Sequence, residues 1–183
     1  QQPVQVFVRP TQELRIRFHS IDLGLTETIG SRNELAAYSD ASSAFSLPKA
    51  ALCLLGLADL GSADSLEEEL ERIGCGIEIT LLCAVPKGSG LGTSSILGAA
   101  IVAALNRFFG IQSEREELYL QVLQMEQMLT TGGGWQDQIG GVEGGVKYIS
   151  SKPDEKPEPL VHHLDDFLFT ASEYKNRYTL FYT

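Results

Sequence analysis

Hydrophobic and polar residues alternate in the first part of the chain, a pattern typical of half-buried β-strands. Residues 4–8 predict a strand that ends near Pro10, and residues 14–18 predict a second strand with its arginines on the polar side. A third strand is expected over residues 25–29, whereas residues 30–45 show no regular pattern. The chain is therefore expected to begin with several short strands.

Longer segments with the apolar spacing of helices follow these strands. The segment at 93–109 is apolar on almost every side, which indicates a helix inside the molecule. Another helix is expected at 113–130, where Ser113 and Glu116 have the spacing of a capping box. A further helix is predicted at 47–57, and a short acidic helix or a turn is predicted at 66–73.

The later strands are predicted at 76–82, 144–149 and 178–182, with a proline-rich surface loop at 150–159. Strands therefore come first, and helices then mix with further strands, which favours the α+β class with a mixed or antiparallel sheet. At 183 residues the chain has the size of one domain.

A stretch rich in glycine and hydroxyl residues joins the strand at 76–82 to the helix at 93–109. Glycines allow the backbone to turn tightly and to approach a ligand closely. The unpaired N–H groups and the dipole of a helix start favour an anion. We therefore predict a nucleotide phosphate site at Pro86, Gly88, Ser89, Gly90, Leu91, Gly92, Thr93, Ser94 and Ser95.

Two common phosphate-binding motifs do not fit this stretch. A P-loop needs a lysine directly after its last glycine, but Lys87 precedes the glycines. A dinucleotide fingerprint needs a third glycine where Thr93 stands and an acidic residue about 20 positions later. An ordinary glycine-rich turn between strand and helix stays open as the alternative.

The net charge of −10 argues against nucleic acid as a partner, because nucleic-acid binding needs clustered basic residues. Phosphate binding would then depend on backbone N–H groups, a metal or groups outside this chain. Cys53, Cys75 and Cys83 lack metal-ligand spacing and are expected to be free thiols, which suits a cytoplasmic protein. No apolar run is long enough to predict a membrane span.

The glycine stretch resembles the Pro-x3-Gly-Leu-Gly-Ser-Ser-Ala signature of the GHMP small-molecule kinases, with Thr93 in place of the first serine and Ser95 in place of the alanine. Residues 129–141, Leu-Thr-Thr-Gly-Gly-Gly-Trp-Gln-Asp-Gln-Ile-Gly-Gly, resemble the corresponding motif of L-fucokinases. These include the kinase half of bifunctional fucokinase/GDP-fucose pyrophosphorylases. The resemblance implies that residues 1–183 form the amino-terminal, ATP-binding GHMP domain, a mixed sheet backed by helices in a ribosomal-protein-like fold.

The same resemblance implies a sugar kinase that uses ATP and Mg²⁺ to form L-fucose 1-phosphate, with a fused pyrophosphorylase domain as a candidate neighbour. It makes Asp137 the catalytic carboxylate and assigns Ser94 and Glu126 to the magnesium ion. Glu126 and Asp137 stand eleven residues apart, as the corresponding pair does in mevalonate-kinase-like members. The alternative for Asp137 is a residue that caps the turn after it.

The residues around Glu126 carry a prediction of their own. Val122, Leu123 and Leu129 share its helix face, so the carboxylate is expected on an apolar surface, where an unpaired charge is costly. The alternative is a carboxylate at the edge of that surface that reaches solvent or an arginine.

Three residues near Asp137 are candidates for contact with the sugar. They are Gly134, Trp135 and Gln138. A single tryptophan is also typical of a core, so packing is the alternative for Trp135.

Two family features are expected to be missing from this chain. One is an Arg-Ile-Asp…Gly-Gly-Trp-Thr-Asp-Thr-Pro-Pro-like segment that helps to bind the sugar, and the other is a second domain that closes over the site. We therefore expect the 183-residue chain to be inactive alone and the complete protein to be active. A heptose kinase of the same superfamily, a non-catalytic sensor of sugar and nucleotide, and an RNA-binding module are the rival functions.

Overall fold

The computed structural model describes residues 3–40, 42–57, 64–85, 91–129, 134–152, 159–177 and 179. The first part of the glycine stretch, with Pro86, Gly88, Ser89 and Gly90, lies outside the described residues. So do most of the predicted strand at 178–182 and most of the loop at 150–159.

The strands of the first part form a four-stranded mixed sheet in the order β1-β4-β2-β3. Strand β4 pairs antiparallel with β1 and parallel with β2, while β2 and β3 form an antiparallel hairpin. This arrangement confirms the α+β class and the mixed sheet. The four strands are β1 (Val4–Thr11), β2 (Ile16–Ser20), β3 (Leu25–Ile29) and β4 (Gly76–Cys83).

Helices α1 to α6 and a second, two-stranded antiparallel sheet complete the main body. The helices are α1 (Arg32–Ala36), followed by a 3₁₀ turn at Ala37–Ser39, α2 (Ser46–Leu54), α3 (Leu66–Ile73), α4 (Thr93–Phe109), α5 (Arg115–Met128) and α6 (Gln136–Val142). The small sheet and two short final helices are β5 (Lys147–Ser150), β6 (Leu160–His163), α7 (Phe167–Thr170) and α8 (Ser172–Lys175). No helix within the described ranges has the length and apolar character that a membrane crossing requires.

The core lies between the four-stranded sheet and the helices. Alternate residues of β2 and β4 point to the helical side, and Ile16, Phe18, Ile77 and Ile79 are fully buried there. Helix α4 packs against β1, α2, α5 and α6, so it lies inside the molecule as its apolar sequence predicts. The core therefore holds the start of α4 beside the ends of β2 and β4.

The segment predicted to be irregular at 30–45 contains helix α1 and the 3₁₀ turn at Ala37–Ser39, and ends at the N-cap of α2. Ser31 caps α1 in a capping box with Glu34. The Ser-x-x-Glu spacing of a capping box is visible in the sequence at these positions. The prediction of an irregular segment is therefore wrong, because it overlooked a local helix-start signal. The capping box of α5 is also shifted by one residue: Glu114 and Glu117 form it in place of Ser113 and Glu116.

Candidate active site

Helix α4 begins beside the carboxyl end of β4. Its N-cap, Gly92, has φ 63°, a left-handed conformation that glycine adopts without strain. Glycine has no side chain to cap the helix, so the N–H groups of the first turn must find other partners. Together with the helix dipole, they form a suitable site for an anion.

A cavity of about 480 Å³ opens at this helix start. Its polar lining comes from the first turn of α4, the turn after β2 and the first turn of α6: Ser20, Asp22, Gly92, Thr93, Ser94 and Asp137. Its remaining wall is apolar or weakly polar: Leu23, Ala44, Leu47, Leu81, Cys83, Val85 and Leu97. The cavity can thus receive a ligand with a charged end and an apolar body.

Asp137 lies in the first turn of α6, is exposed and faces the helix start. A Cβ atom placed on Gly92 would lie 3.5 Å from the Asp137 Cγ atom. The structure therefore brings Asp137 to the amino end of α4, across 45 residues of sequence. A carboxylate there can accept a proton from a hydroxyl group bound in the cavity.

Glu126 lies on α5 and is 7% exposed, as its apolar neighbours predict. The alternative of a carboxylate that reaches solvent is therefore wrong. The Ser95 Oγ atom donates a hydrogen bond of 2.6 Å to Glu126 Oε1, and the Gln138 Nε2 atom donates to Glu126 Oε2. Asp137 thus lies beside the start of α4, and Glu126 is hydrogen-bonded to Ser95 in the first turn of that helix. Glu126 is not among the described residues that line the cavity.

The three candidates for sugar contact lie elsewhere. Trp135 lines a separate cavity of about 200 Å³ between α5 and α6, with Tyr119, Leu123 and Ile139 among its walls. Gln138 is 1% exposed and turned towards Glu126, and Gly134 is exposed but is not among the described lining residues. Their contact with a sugar stays a prediction, and so does the packing alternative for Trp135.

Asp22 is a site residue that the sequence reasoning missed. Its Oδ1 atom accepts hydrogen bonds from Ser20 Oγ and from the Cys83 backbone N–H, both at 3.1 Å. Because β2 and β4 are parallel, residues that follow these two strands meet at one edge of the sheet. A Ser-x-Asp sequence directly at the end of a predicted strand was the available signal.

Comparison with known proteins gives a family match over residues 53–145, described as GHMP kinases N terminal domain. The chain is 48% identical over 186 residues to an L-fucokinase/L-fucose-1-P guanylyltransferase of Bacteroides fragilis, which covers all of this chain and 20% of that protein. It is 43% identical over 109 residues to a bifunctional fucokinase/GDP-fucose pyrophosphorylase of Arabidopsis thaliana, covering 60% of this chain and 10% of that protein. The chain thus spans a fifth or less of these relatives.

Solved structures share the fold. A D-glycero-D-manno-heptose 1-phosphate kinase from Bacteroides thetaiotaomicron matches with a TM-score of 0.63 at 21% identity, over 87% of this chain and 47% of that one. The mevalonate kinase of Methanococcus jannaschii matches with a TM-score of 0.60 at 17% identity, over 76% of this chain and 41% of that one. At these identities the likeness concerns the fold alone.

Proposed function

Because the chain belongs to the GHMP kinase family, we propose that it forms the ATP-binding part of a sugar kinase that phosphorylates the anomeric hydroxyl of L-fucose. The observation that carries this proposal is the position of Asp137 against Gly92, at the amino end of α4 and in one cavity with Thr93 and Ser94. The identity to a named fucokinase along the whole chain supports L-fucose as the substrate.

The phosphates of ATP would lie at the first turn of α4. Backbone N–H groups there supply donors, and the helix dipole adds positive potential that favours the phosphates of ATP in a chain of net charge −10. We place Leu91, Gly92, Thr93, Ser94 and Ser95 in this phosphate site, continued by Pro86, Gly88, Ser89 and Gly90. The apolar wall of the cavity offers space for the nucleoside.

Asp137 would accept the proton of the sugar hydroxyl during transfer. The anomeric oxygen forms a bond to the γ-phosphorus, the bond from that phosphorus to the bridging oxygen breaks, and ADP leaves with the electron pair. The hydroxyl proton passes to the Asp137 carboxylate. Positioning and charge neutralisation dominate such a reaction, so the exposed carboxylate at the helix start is well placed for it.

The family implies a magnesium ion, and the oxygen donors present fit one. Magnesium in kinases is held by one or two carboxylates, with water and phosphate oxygens completing the shell. We propose Ser94 Oγ and the Glu126 carboxylate as its protein ligands, because a hydroxyl and a carboxylate are hard oxygen donors of the kind that magnesium binds. The ion would supply positive charge against the phosphates of ATP.

The names of the relatives also suggest what happens to the product. Both named bifunctional proteins combine a fucokinase with a guanylyltransferase or pyrophosphorylase activity. We propose that the natural protein carrying this chain has the same combination, so that L-fucose 1-phosphate is consumed by nucleotidyl transfer.

The proposal is tested with the natural protein that carries this chain, by measuring ADP release with ATP and L-fucose. We expect Asp137→Asn to lower kcat by at least about 100-fold while ATP binding persists, because the variant loses the proton acceptor but keeps the cavity. Asp64→Asn is the control, since Asp64 lies in a surface ion pair with Arg72.

Three results would contradict parts of the proposal. Equal ADP release by wild type and Asp137→Asn would remove the role of Asp137. Turnover of a heptose phosphate but not of L-fucose would refute the substrate. Binding of ATP and L-fucose without any turnover would make the protein a sensor.

A further inference from the structure

Three buried polar side chains from three helices meet beneath the first turn of α4. Ser95 of α4 is 2% exposed, Glu126 of α5 is 7% exposed and Gln138 of α6 is 1% exposed. Ser95 donates a hydrogen bond to Oε1 of the Glu126 carboxylate, and Gln138 donates one to Oε2. The three side chains form one network, which we call the Glu126 network.

The network fixes the direction of the carboxylate. Carboxylate oxygens only accept hydrogen bonds, so the Gln138 amide must present its Nε2 atom to Glu126. With donors on both oxygens, rotation about the last side-chain bond of Glu126 would break at least one bond in a buried place, where an unmade hydrogen bond is costly. Gln138 Oε1 is also buried, and it has no hydrogen-bond partner within the described ranges.

The network also reaches Asp137. Gln138 follows Asp137 on α6, and consecutive side chains of a helix point about 100° apart. When Gln138 points inward to Glu126, Asp137 is turned to the Gly92 side, as the structure shows. The hydrogen bond between Gln138 and Glu126 is therefore one of the contacts that fix the rotation of α6. The others include the burial of Ile139 and the close approach of Gly141 to Ile96.

One member of the network is unusual for the family signature described above, which has alanine where this chain has Ser95. Replacing Ser95 by alanine restores the residue of the signature and removes a single oxygen atom.

We propose that Ser95 and Gln138 are positioning residues: through the Glu126 carboxylate they couple α4, α5 and α6, and so hold Asp137 at the amino end of α4. The inference rests on the proposed function. A misplacement of a reacting group by about 1 Å can cost about 100-fold in rate, so loss of these hydrogen bonds is expected to lower activity.

The first test measures stability without metal or nucleotide, and so is independent of activity. Ser95→Ala, Glu126→Gln and the double variant are unfolded with urea, and the coupling between the two sites is taken from the double-mutant cycle. We expect Ser95→Ala to lower the urea midpoint of unfolding when Glu126 is present. In the Glu126→Gln background, the same change should lower the midpoint by less than half as much. Additive shifts would overturn the network.

The second test measures kinetics in the natural protein. We expect Ser95→Ala and Gln138→Leu each to lower kcat by about 10- to 100-fold, with the KM for L-fucose changed little, because binding surface is kept and alignment is lost. Gln124→Leu, at an exposed position of α5, should leave kcat unchanged. A merely structural role would lower the amount of folded protein and leave kcat per folded molecule unchanged, and that result would overturn the inference.

The two tests separate the two proposals. If Gln138→Leu does not fold, both the stability test and the kinetic test are made with Ser95→Ala alone. That variant is expected to fold, because alanine is the residue of the signature at this position. A wild-type protein without kinase activity would refute the proposed function, whereas unchanged kcat in Ser95→Ala of an active enzyme would refute the positioning role alone.

Discussion

Asp22 contributes a second carboxylate to the cavity that contains Asp137. Two hydrogen bonds, from Ser20 Oγ and the Cys83 N–H, both reach its Oδ1 atom and hold the group in one orientation. A fixed carboxylate of this kind is a good acceptor for neighbouring hydroxyl groups, and carboxylates bind ribose hydroxyls in other nucleotide sites. On the proposed function, we expect Asp22 to contact the ribose of ATP.

We expect Asp22→Asn to weaken ATP binding by about 10-fold, because a hydrogen bond to a charged group is lost. The same change should have little effect on 2′,3′-dideoxy-ATP, which lacks both hydroxyls. Dissociation constants for the two nucleotides, measured by calorimetry with wild type and variant, check this. An equal loss for both nucleotides would mean that Asp22 acts only by holding the end of β4.

The sequence predicts some properties of single residues, such as burial, but not their contacts with distant parts of the chain. The burial of Glu126 followed from Val122 and Leu123 on the same helix face, since helical spacing is a local property. Its hydrogen bond to Ser95 could not be predicted, because it depends on how α4 and α5 pack across 31 residues of chain. The same limit hid the contact of Asp137 with Gly92 and the place of Trp135 in a separate cavity.

Helix α6 packs against the start of α4 through a glycine. A Cβ atom on Gly141 would lie 2.7 Å from the Ile96 Cγ1 atom and 3.3 Å from its Cα atom, so backbone as well as side chain stands in the way. A Cβ atom on the neighbouring Gly140 would meet nothing within 4 Å. These adjacent glycines provide a matched pair, one at a contact and one in open space.

Gly141→Ala is expected to push α6 away from α4 and to move Asp137 with it. Since a displacement near 1 Å can cost about 100-fold in rate, we expect kcat to fall by about 10- to 100-fold. Gly140→Ala should keep full activity and stabilise the helix by up to about 1 kcal/mol. Steady-state kinetics and thermal unfolding of both variants check the prediction, and equal activity of the two would contradict it.

Elements with strong local signals were predicted well. The bounds of α3 and α4 agree with the sequence, because Ser65 caps α3 and Gly74 and Gly110 end the two helices in left-handed conformation. Helix α6 was not predicted, since its two adjacent glycines disfavour a helix and packing against α4 compensates. Of the two strands of the small sheet, the sequence predicted β5 but not β6, because the segment between them is interrupted by prolines and β6 has only four residues.

At the scale of the whole molecule, Glu143 connects the small sheet to the helical layer. It ends α6, and its side chain, 9% exposed, accepts a hydrogen bond from Tyr119 of α5. Arg115 of α5 lies 3.2 Å from Glu143 Oε2, and His163 of β6 lies 3.8 Å from it. Lys147 at the start of β5 donates to the Glu143 backbone carbonyl.

This connection should make the stability of the molecule depend on pH in the acid range. The Tyr119 hydroxyl, assisted by Arg115, holds the pKa of Glu143 below its ordinary value of 4.5. Burial, with the hydrogen bond to Glu143, raises the pKa of Tyr119, so the phenol stays a donor. A carboxyl group with a lowered pKa stabilises the fold above its unfolded pKa, and this contribution is lost as the pH falls through the lower folded value.

We therefore expect Glu143→Gln to lower the free energy of unfolding at pH 7 and to have progressively less effect as the pH falls below about 4.5. Urea unfolding of wild type and variant at a series of pH values between 7 and 3 measures the difference. Glu71→Gln, at an exposed position of α3, should show no such convergence. A difference that stayed constant down to pH 3 would mean that the charge of Glu143 contributes nothing, and that the small sheet is held to α5 and α6 by packing alone.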